Sequence, residues 1–329
     1  MKELKPAVSV LMIAYNREDY IEEAILSILR QKTSFPFEII IAEDCSTDQT
    51  LAICKRYKEQ YPNQIHLIAN EQNLGLQRNY IQAYIAAKGK YVAICDPDDY
   101  WISSRKLQLQ FDFSEKNLDY TLCFHRVLNY YAKDGSKSLS NGGQKRVTGL
   151  EDLSKANYIS NVSVFFRNGV FELPEGLEQR VNCDYVFHML CAQKGKIYYS
   201  PKVMAVYRKH DTGIFSGENQ EKAMRESAAV RQFLIDLFEG VESQTVLNHL
   251  KYAKMSILFR LYQQFSLKNE TEKANELKDE ICRMDAQWFD ARLKQEAQMP
   301  TKPISKRVKE LASTIRKHLS KLYPLPRIR

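Results

Sequence analysis

The chain has 329 residues, 44% of them hydrophobic and 27% charged, with only 12 glycines, a globular mix that excludes a disordered, collagen-like or polytopic membrane protein. The length suits two domains. The net charge of +8 sits in one segment: residues 301–329 hold nine Lys or Arg against a single acid, Glu310, and the rest of the chain is neutral, which disfavours a nucleic-acid-binding surface spread over a folded domain.

In chain order, Val8–Ala14 reads as a buried strand that is too short for a membrane span or a signal peptide. A helix with Ile21, Ile25, Ile28 and Leu29 on one face follows. The pattern then predicts a strand over Phe37–Ala42, a helix from about Gln49 to Gln60, a strand over Ile65–Ala69, a helix from about Leu76 to Lys88 and a strand over Lys90–Cys95. Alternating strands and helices imply a parallel sheet, with the ligand crevice beyond the carboxyl ends of the strands. A helix over Ser103–Lys116 comes next, then strands at Thr121–Phe124 and Val127–Tyr131, a polar loop Lys133–Arg146, a strand at Val162–Phe166, a helix over Asp184–Gln193, and strands at Ile197–Tyr199 and Val203–Tyr207. The α/β region is expected to span 1–217. Residues 218–300 carry one glycine in the helical stretch, Gly240, and read as a helical appendage of two or three helices; 301–329 form a basic tail beyond Pro300.

Seven scattered cysteines with no C-x-x-C pair argue against disulfides and thiolate zinc, and suit a reducing cytoplasm. Neither G-x-x-x-x-G-K-[ST] nor G-x-G-x-x-G occurs. The fourth strand instead ends in Asp96-Pro97-Asp98-Asp99, a carboxylate cluster suited to Mg²⁺ or Mn²⁺ held together with substrate phosphates. The alternative for Asp98 or Asp99 is a cap on a helix following Pro97. In Glu43-Asp44-Cys45-Ser46-Thr47-Asp48, capping falls to Thr47 or Asp48, which leaves Asp44 for a ligand such as a base N–H, with Tyr15 one strand away to stack on the ring.

Together, Val8-Ser9-Val10 through Tyr15-Asn16, Glu43 to Asp48, Asn73-Leu74-Gly75 through Arg78-Asn79, and Asp96 to Asp99 resemble the family-2 glycosyltransferases with the GT-A fold, over about residues 6–215. The resemblance implies a GT-A fold with a mostly parallel sheet, a nucleotide-diphosphate-sugar donor such as a UDP-sugar, Mn²⁺ or Mg²⁺, and inversion at the anomeric carbon. By it, Asp44 reads the base, Arg78 holds the nucleotide, Asp98 faces the ribose and Asp99 binds the metal. His210 stands where some relatives supply a further metal ligand, the alternative being a solvated loop histidine. Asp184, in Asn182-Cys183-Asp184-Tyr185, matches the general base, although Cys183 stands where glutamate is common; the alternative is an exposed acid at a helix start. Absence of the polymerising Q-x-x-R-W signature implies single additions.

The implied role is hexosyl transfer to a glycan or lipid-linked acceptor in surface polysaccharide or glycolipid assembly. A non-catalytic glycan-binding protein on the same fold and a sugar nucleotidyltransferase are the rivals, the latter lacking its glycine-rich loop at Asn16-Arg17-Glu18-Asp19. In the tail, Ile304, Val308, Leu311, Ile315, Leu319 and Leu322 recur at helical spacing among cations, which suits an anionic membrane surface on the cytoplasmic side; a face packed on the protein itself is the alternative. The apolar helical segments also offer surfaces for a homo-oligomer.

Overall fold

The computed structural model describes residues 5–179, 183–210 and 220–298. The expected boundary at 217, Asn182 and the basic tail lie outside the described residues. Among the described residues, nine α-helices and ten strands follow in chain order: β1 (Val8–Ala14), α1 (Ile21–Leu29), β2 (Phe37–Glu43), α2 (Thr50–Gln60), β3 (Ile65–Ala69), α3 (Leu76–Ala86), β4 (Tyr91–Ile94), β5 (Tyr100–Trp101), α4 (Lys106–Lys116), β6 (Tyr120–Tyr131), β7 (Lys137–Leu139), β8 (Val147–Thr148), α5 (Leu150–Lys155), β9 (Phe165–Arg167), α6 (Cys183–Lys194), β10 (Lys196–Lys209), α7 (Gln220–Phe238), α8 (Gln244–Leu267) and α9 (Thr271–Gln298).

The strands form one sheet in the order β3-β2-β1-β4-β9-β6-β10-β5, with β7 on β6 and β8 on β10. β1 pairs in parallel with β2 (Val8 opposite Phe37) and β4 (Val8 opposite Tyr91), and β2 with β3. β9 is antiparallel to both β4 and β6. Every residue of β1 is buried because both faces of this strand are covered. Successive side chains point to opposite faces. Leu11 and Ile13, with Ile40, Ala42, Val92 and Ile94, enter a core closed by α3, α6 and part of α7; Val10, Met12 and Ala14, with Ile39 and Ile41, enter a second core under α1. Parallel pairing aligns the carboxyl ends of β1, β2, β3 and β4 on one edge, and the polar segments after them share it.

Gly89, just before β4, is fixed by packing: a Cβ there would lie 2.5 Å from Ser9 N and 2.7 Å from Val8 C, and its own N–H donates to Ser9 Oγ. Contacts gather the described residues of 1–128, 139–208 and 226–254 into one unit and those of 129–138, 209–225 and 255–329 into a second. This division runs through α7 and α8. In the first unit Val230, Leu234 and Phe238 of α7 belong to the core beneath the sheet. In the second, Phe259, Tyr262, Trp288 and Phe289 form an aromatic cluster, and α9 bends at Asp285, whose Oδ1 accepts the Trp288 N–H and starts the helix afresh.

The structure departs from the sequence pattern in several places: β5, β8 and α5 have no counterpart in it, and β7 lies within the stretch expected as the polar loop Lys133–Arg146. The two strands expected over 121–131 are one, β6, and those expected over 197–207 are one, β10. Pro201 sits within β10 between its two short partners, β8 on Ile197 and Tyr198 and β5 on Ala205 and Val206, so its missing N–H interrupts neither ladder. The stretch expected as a strand over 162–166 opens instead with a 3-10 turn at Asn161–Ser163 before β9.

Candidate active site

The turn after β1 and the turn after β2 are built against each other. Asn16 and Cys45 both adopt left-handed backbone, φ 51° and 59°, and their segments exchange hydrogen bonds: Asn16 N–H to Ser46 Oγ at 3.0 Å, and Thr47 N–H to Asn16 Oδ1 at 2.8 Å. Asp48 Oδ1 accepts the Thr50 N–H at the start of α2, which is the capping role expected of Thr47 or Asp48, while Glu18 Oε2 takes the Gln49 N–H. Asp44 is therefore spared from that helix end, but it has other work.

Asp44 is 2% exposed; its Oδ1 accepts from Asn70 Nδ2 (2.9 Å) and Leu74 N–H (2.8 Å), and its Oδ2 from Gly75 N–H (2.9 Å). Gly75 reaches it at φ 84°, a conformation that favours glycine. Asn70 is shared with Asn79, which anchors to Ala42 O. Oδ2 thus keeps one lone pair for a ligand donor. The Tyr15 ring is 43% exposed beside this edge, and Arg78 is exposed in the first turn of α3. A cleft of about 570 Å³ opens alongside, lined by Ala69, Asn70, Glu71, Gln72 and Leu74.

No helix follows Pro97. Asp98 and Asp99 lead into β5, and α4 starts at Lys106 with Arg105 as its cap residue, so neither carboxylate is a helix cap. Asp98 Oδ2 pairs with Arg17 Nε at 3.3 Å. Asp99 is 1% exposed; its Oδ1 accepts the Arg208 N–H at 2.8 Å, and its Oδ2 has no hydrogen-bond partner. Burial, with Asp98 and Asp96 close by, raises the Asp99 carboxyl well above the usual range. Asp96 accepts from Asn161 Nδ2 at 3.1 and 3.0 Å, and burial and the charge of Asp98 push it up to about 7.

Asp184 lies in the first turn of α6, half-buried, with its carboxyl raised by burial; it is not an exposed helix-start acid. Its charge is among those that raise Asp96, and the charges of Asp99, Asp96, Asp98 and Asp184 all add to burial in raising the Tyr207 hydroxyl. Asp184 and the acidic turn, 85 or more residues apart in sequence, therefore occupy one electrostatic neighbourhood. Among the described residues no three His, Cys, Asp or Glu side chains converge on a common point, so the four aspartates share a field and not a coordination sphere. An unpartnered Asp99 oxygen in a surplus of negative charge fits a hard cation held by one or two carboxylates plus substrate phosphates. His210 is buried, two residues after Arg208.

Cys183 is 4% exposed and burial pushes its thiol up to about 12, so it is no nucleophile. Cys54, Cys95, Cys123 and Cys191 are likewise buried with raised thiols, whereas Cys45 and Cys282 are half-buried. His125 and His188 are buried and held neutral, His188 at about 3. Sequence reasoning placed Asp96 in the carboxylate cluster without a role of its own and passed over Arg17, Asn161 and Arg208. For Arg17 the signal was at hand, a cation in the first strand-end turn; for Asn161 and Arg208 it lay only in the pairing of distant strands.

Residues 9–172 match the family described as Glycosyl transferase family 2. The uncharacterized protein Rv1520 of Mycobacterium tuberculosis is 33% identical to this chain over 243 residues, 71% of this chain and 69% of that protein. The chain belongs to glycosyl transferase family 2. As a family-2 enzyme of the nucleotide-sugar-dependent GT-A type, it is a glycosyltransferase, which sets aside the nucleotidyltransferase reading. A poly(ribitol-phosphate) beta-glucosyltransferase of Bacillus spizizenii is 36% identical over 113 residues, 33% of this chain and 17% of that protein. The fold is that of S. aureus TarS 1-349 in complex with UDP-GlcNAc, with TM-score 0.62 at 20% identity, covering 84% of this chain and 81% of that one. It is also that of the mannosyltransferase PcManGT of Pyrobaculum calidifontis in complex with GDP-Man and Mn²⁺, with TM-score 0.57 at 15% identity, covering 98% and 88%.

Proposed function

We propose that this family-2 glycosyltransferase moves a hexose from a UDP-sugar, with inversion and one residue at a time, to a hydroxyl of a glycan or lipid-linked acceptor in surface polysaccharide or glycolipid assembly. The observation that carries the reading is the shared neighbourhood of Asp184 and the acidic turn, which supplies a proton acceptor beside a carboxylate with a free, buried oxygen. TarS binds UDP-GlcNAc and PcManGT binds GDP-Man with Mn²⁺, and the matched relatives include a poly(ribitol-phosphate) beta-glucosyltransferase, which supports donor, cation and setting.

In this reading Asp44 Oδ2 accepts a base N–H, Tyr15 stacks on the base, Arg78 approaches the nucleotide and Asp98 faces the ribose. Asp99 holds Mn²⁺ or Mg²⁺, which when bound would offset the charge of the departing diphosphate. Asp184 takes the proton of the acceptor hydroxyl; its raised affinity for protons suits a base that must receive one during the reaction. Inversion needs no covalent intermediate, and no nucleophile is offered by the buried Cys183.

Release of nucleoside diphosphate from UDP-, GDP- and dTDP-sugars tests the reading, with EDTA, Asp99→Ala and Asp184→Asn as controls. Metal-dependent release from UDP-sugars that Asp99→Ala abolishes is expected. Binding or turnover of no donor refutes it in favour of a non-catalytic relative.

The nine cations of 301–329 support peripheral docking on the anionic cytoplasmic leaflet, at about 1 kcal/mol per cation near the surface. Among the described residues no helix is long and apolar enough to cross a membrane. Truncation after Met299 should abolish sedimentation with anionic liposomes; unchanged sedimentation overturns the docking.

A further inference from the structure

We propose that Arg208 is a positioning residue for the cation-binding carboxylate: it grips the Asp98–Asp99 turn from both sides of the peptide and so aims the unpartnered Asp99 Oδ2. The inference rests on the cation reading above and adds to it a residue outside the acidic motif.

The side chain of Arg208 is only 10% exposed, and both of its terminal nitrogens are engaged. Nη1 donates to the Asp98 carbonyl at 2.9 Å and Nη2 to Glu23 Oε2 at 2.6 Å. The guanidinium carbon lies 4.8 Å from the Tyr20 ring centroid and 5.1 Å from that of Tyr100. The main chain of the same residue donates to Asp99 Oδ1 at 2.8 Å. One end of Asp99, its preceding carbonyl, is thus held by the guanidinium, and the other, its carboxylate, by the backbone N–H. With Oδ1 fixed, rotation of the carboxyl is stopped and the direction of Oδ2 follows.

Strand pairing keeps the grip in register, because Val206 lies opposite Tyr100 and Ala205 opposite Trp101 in the β10–β5 ladder. Glu23, on α1, anchors the far side of the guanidinium. Lysine is no equivalent here: its three N–H donors fan out from one nitrogen, and it has no planar face to set against Tyr20 and Tyr100. Both terminal nitrogens of Arg208 already have protein acceptors, the Asp98 carbonyl and Glu23. Arg17, by contrast, pairs with the side chain of Asp98, while its Nη1 donates to Asn16 O at 2.8 Å.

The test is direct Mn²⁺ binding in the presence of UDP, read from the electron paramagnetic resonance of free Mn²⁺, for wild type, Arg208→Lys, Arg208→Gln, Glu23→Ala and Glu23→Gln, with thermal melts of each. Loss of such an outer partner weakens metal binding by about 10-fold or more. That loss is expected for both Arg208 variants, with kcat recovering as Mn²⁺ is raised, a rescue that a merely structural role does not give. Glu23→Ala should follow in the same direction without a fall in the melt, since the Glu23 side chain is 47% exposed, and Glu23→Gln, which keeps an acceptor, should stay close to wild type. Wild-type affinity in the Arg208 variants, or in Glu23→Ala, overturns the inference alone. If wild type itself takes up no Mn²⁺ with UDP, the cation reading falls and this inference with it.

Discussion

Replacing Asp96 by asparagine should make the ligand-free enzyme more stable at pH 8 than wild type, and the gain should vanish in acid. Asp96 binds its proton at about 7 in the folded protein against 3.8 ordinarily, because burial and the charge of Asp98, reinforced by Asp184, outweigh the Asn161 hydrogen bonds and Arg17. A raised folded value means that the native state binds the proton more tightly than the unfolded chain. Its stabilisation is complete below pH 3.8 and is lost as pH rises through about 7. At about 1.4 kcal/mol per pH unit the span sets a ceiling of about 4 kcal/mol. Asp96 keeps some access to water, so about 2 kcal/mol is the working expectation. For a cooperative unit of more than 200 residues that corresponds to about 4 °C in Tm.

Asparagine retains one oxygen for Asn161 Nδ2 and carries no charge at any pH. The assay is the thermal melt of wild type and Asp96→Asn in EDTA from pH 4 to pH 8. The difference between the two proteins is the readout, because His125 and His188, held neutral by burial, give wild type an opposing slope in the same window. A Tm difference that grows in favour of the variant by about 4 °C across the range confirms the argument. Parallel profiles refute it.

Three further outcomes follow from the same contacts. Asp184→Asn should lower kcat by about 10²- to 10⁴-fold with the donor KM unchanged, as expected for loss of a general base in steady-state kinetics. Lys106 is fully buried over the Trp101 ring at 4.2 Å, its Nζ has no hydrogen-bond partner and burial lowers it to about 7, so Lys106→Met should raise stability in chemical denaturation at pH 6. The gain, about 1–2 kcal/mol net of the lost cation–π contact, should fade as pH rises above 7, where the wild-type lysine loses its proton. Gly89→Ala should cost about 1–3 kcal/mol in the same assay, since its Cβ meets the backbone of Val8 and Ser9, which cannot swing aside.

The first half of the fold was legible because its physics is local. β1, β2 and β4 are largely buried and show as near-continuous apolar runs, broken in β1 by Ser9 and flanked in β2 by Glu38 and Glu43, and the helices between them repeat at helical spacing. β3 was read to the residue, Ile65–Ala69. The second half was not: β5 has two residues and no periodicity to detect, and β10, expected as two strands, runs on through Pro201, which lies between its two short partners β8 and β5. The site divides in the same way. The acidic turn announces itself as a cluster of one residue type, whereas Arg208 meets Asp99 across 109 residues and only through the β10–β5 ladder. Asp44 was correctly spared from capping, but two of its three hydrogen bonds to the loop after β3 come from the backbone of Leu74 and Gly75, which no side-chain pattern encodes.

The distribution of thiols makes this enzyme a ready two-site labelling substrate. Five of the seven cysteines are buried with raised thiols and should resist maleimide under native conditions, leaving Cys45 and Cys282. Cys45 is the residue after Asp44, with its sulfur turned toward Glu71 O, while Cys282 lies on α9. A Cys282→Ser chain therefore carries one addressable dye position at the edge where a nucleotide base would sit. Protection of that position from alkylation would report donor occupancy without any turnover, acceptor or knowledge of the sugar.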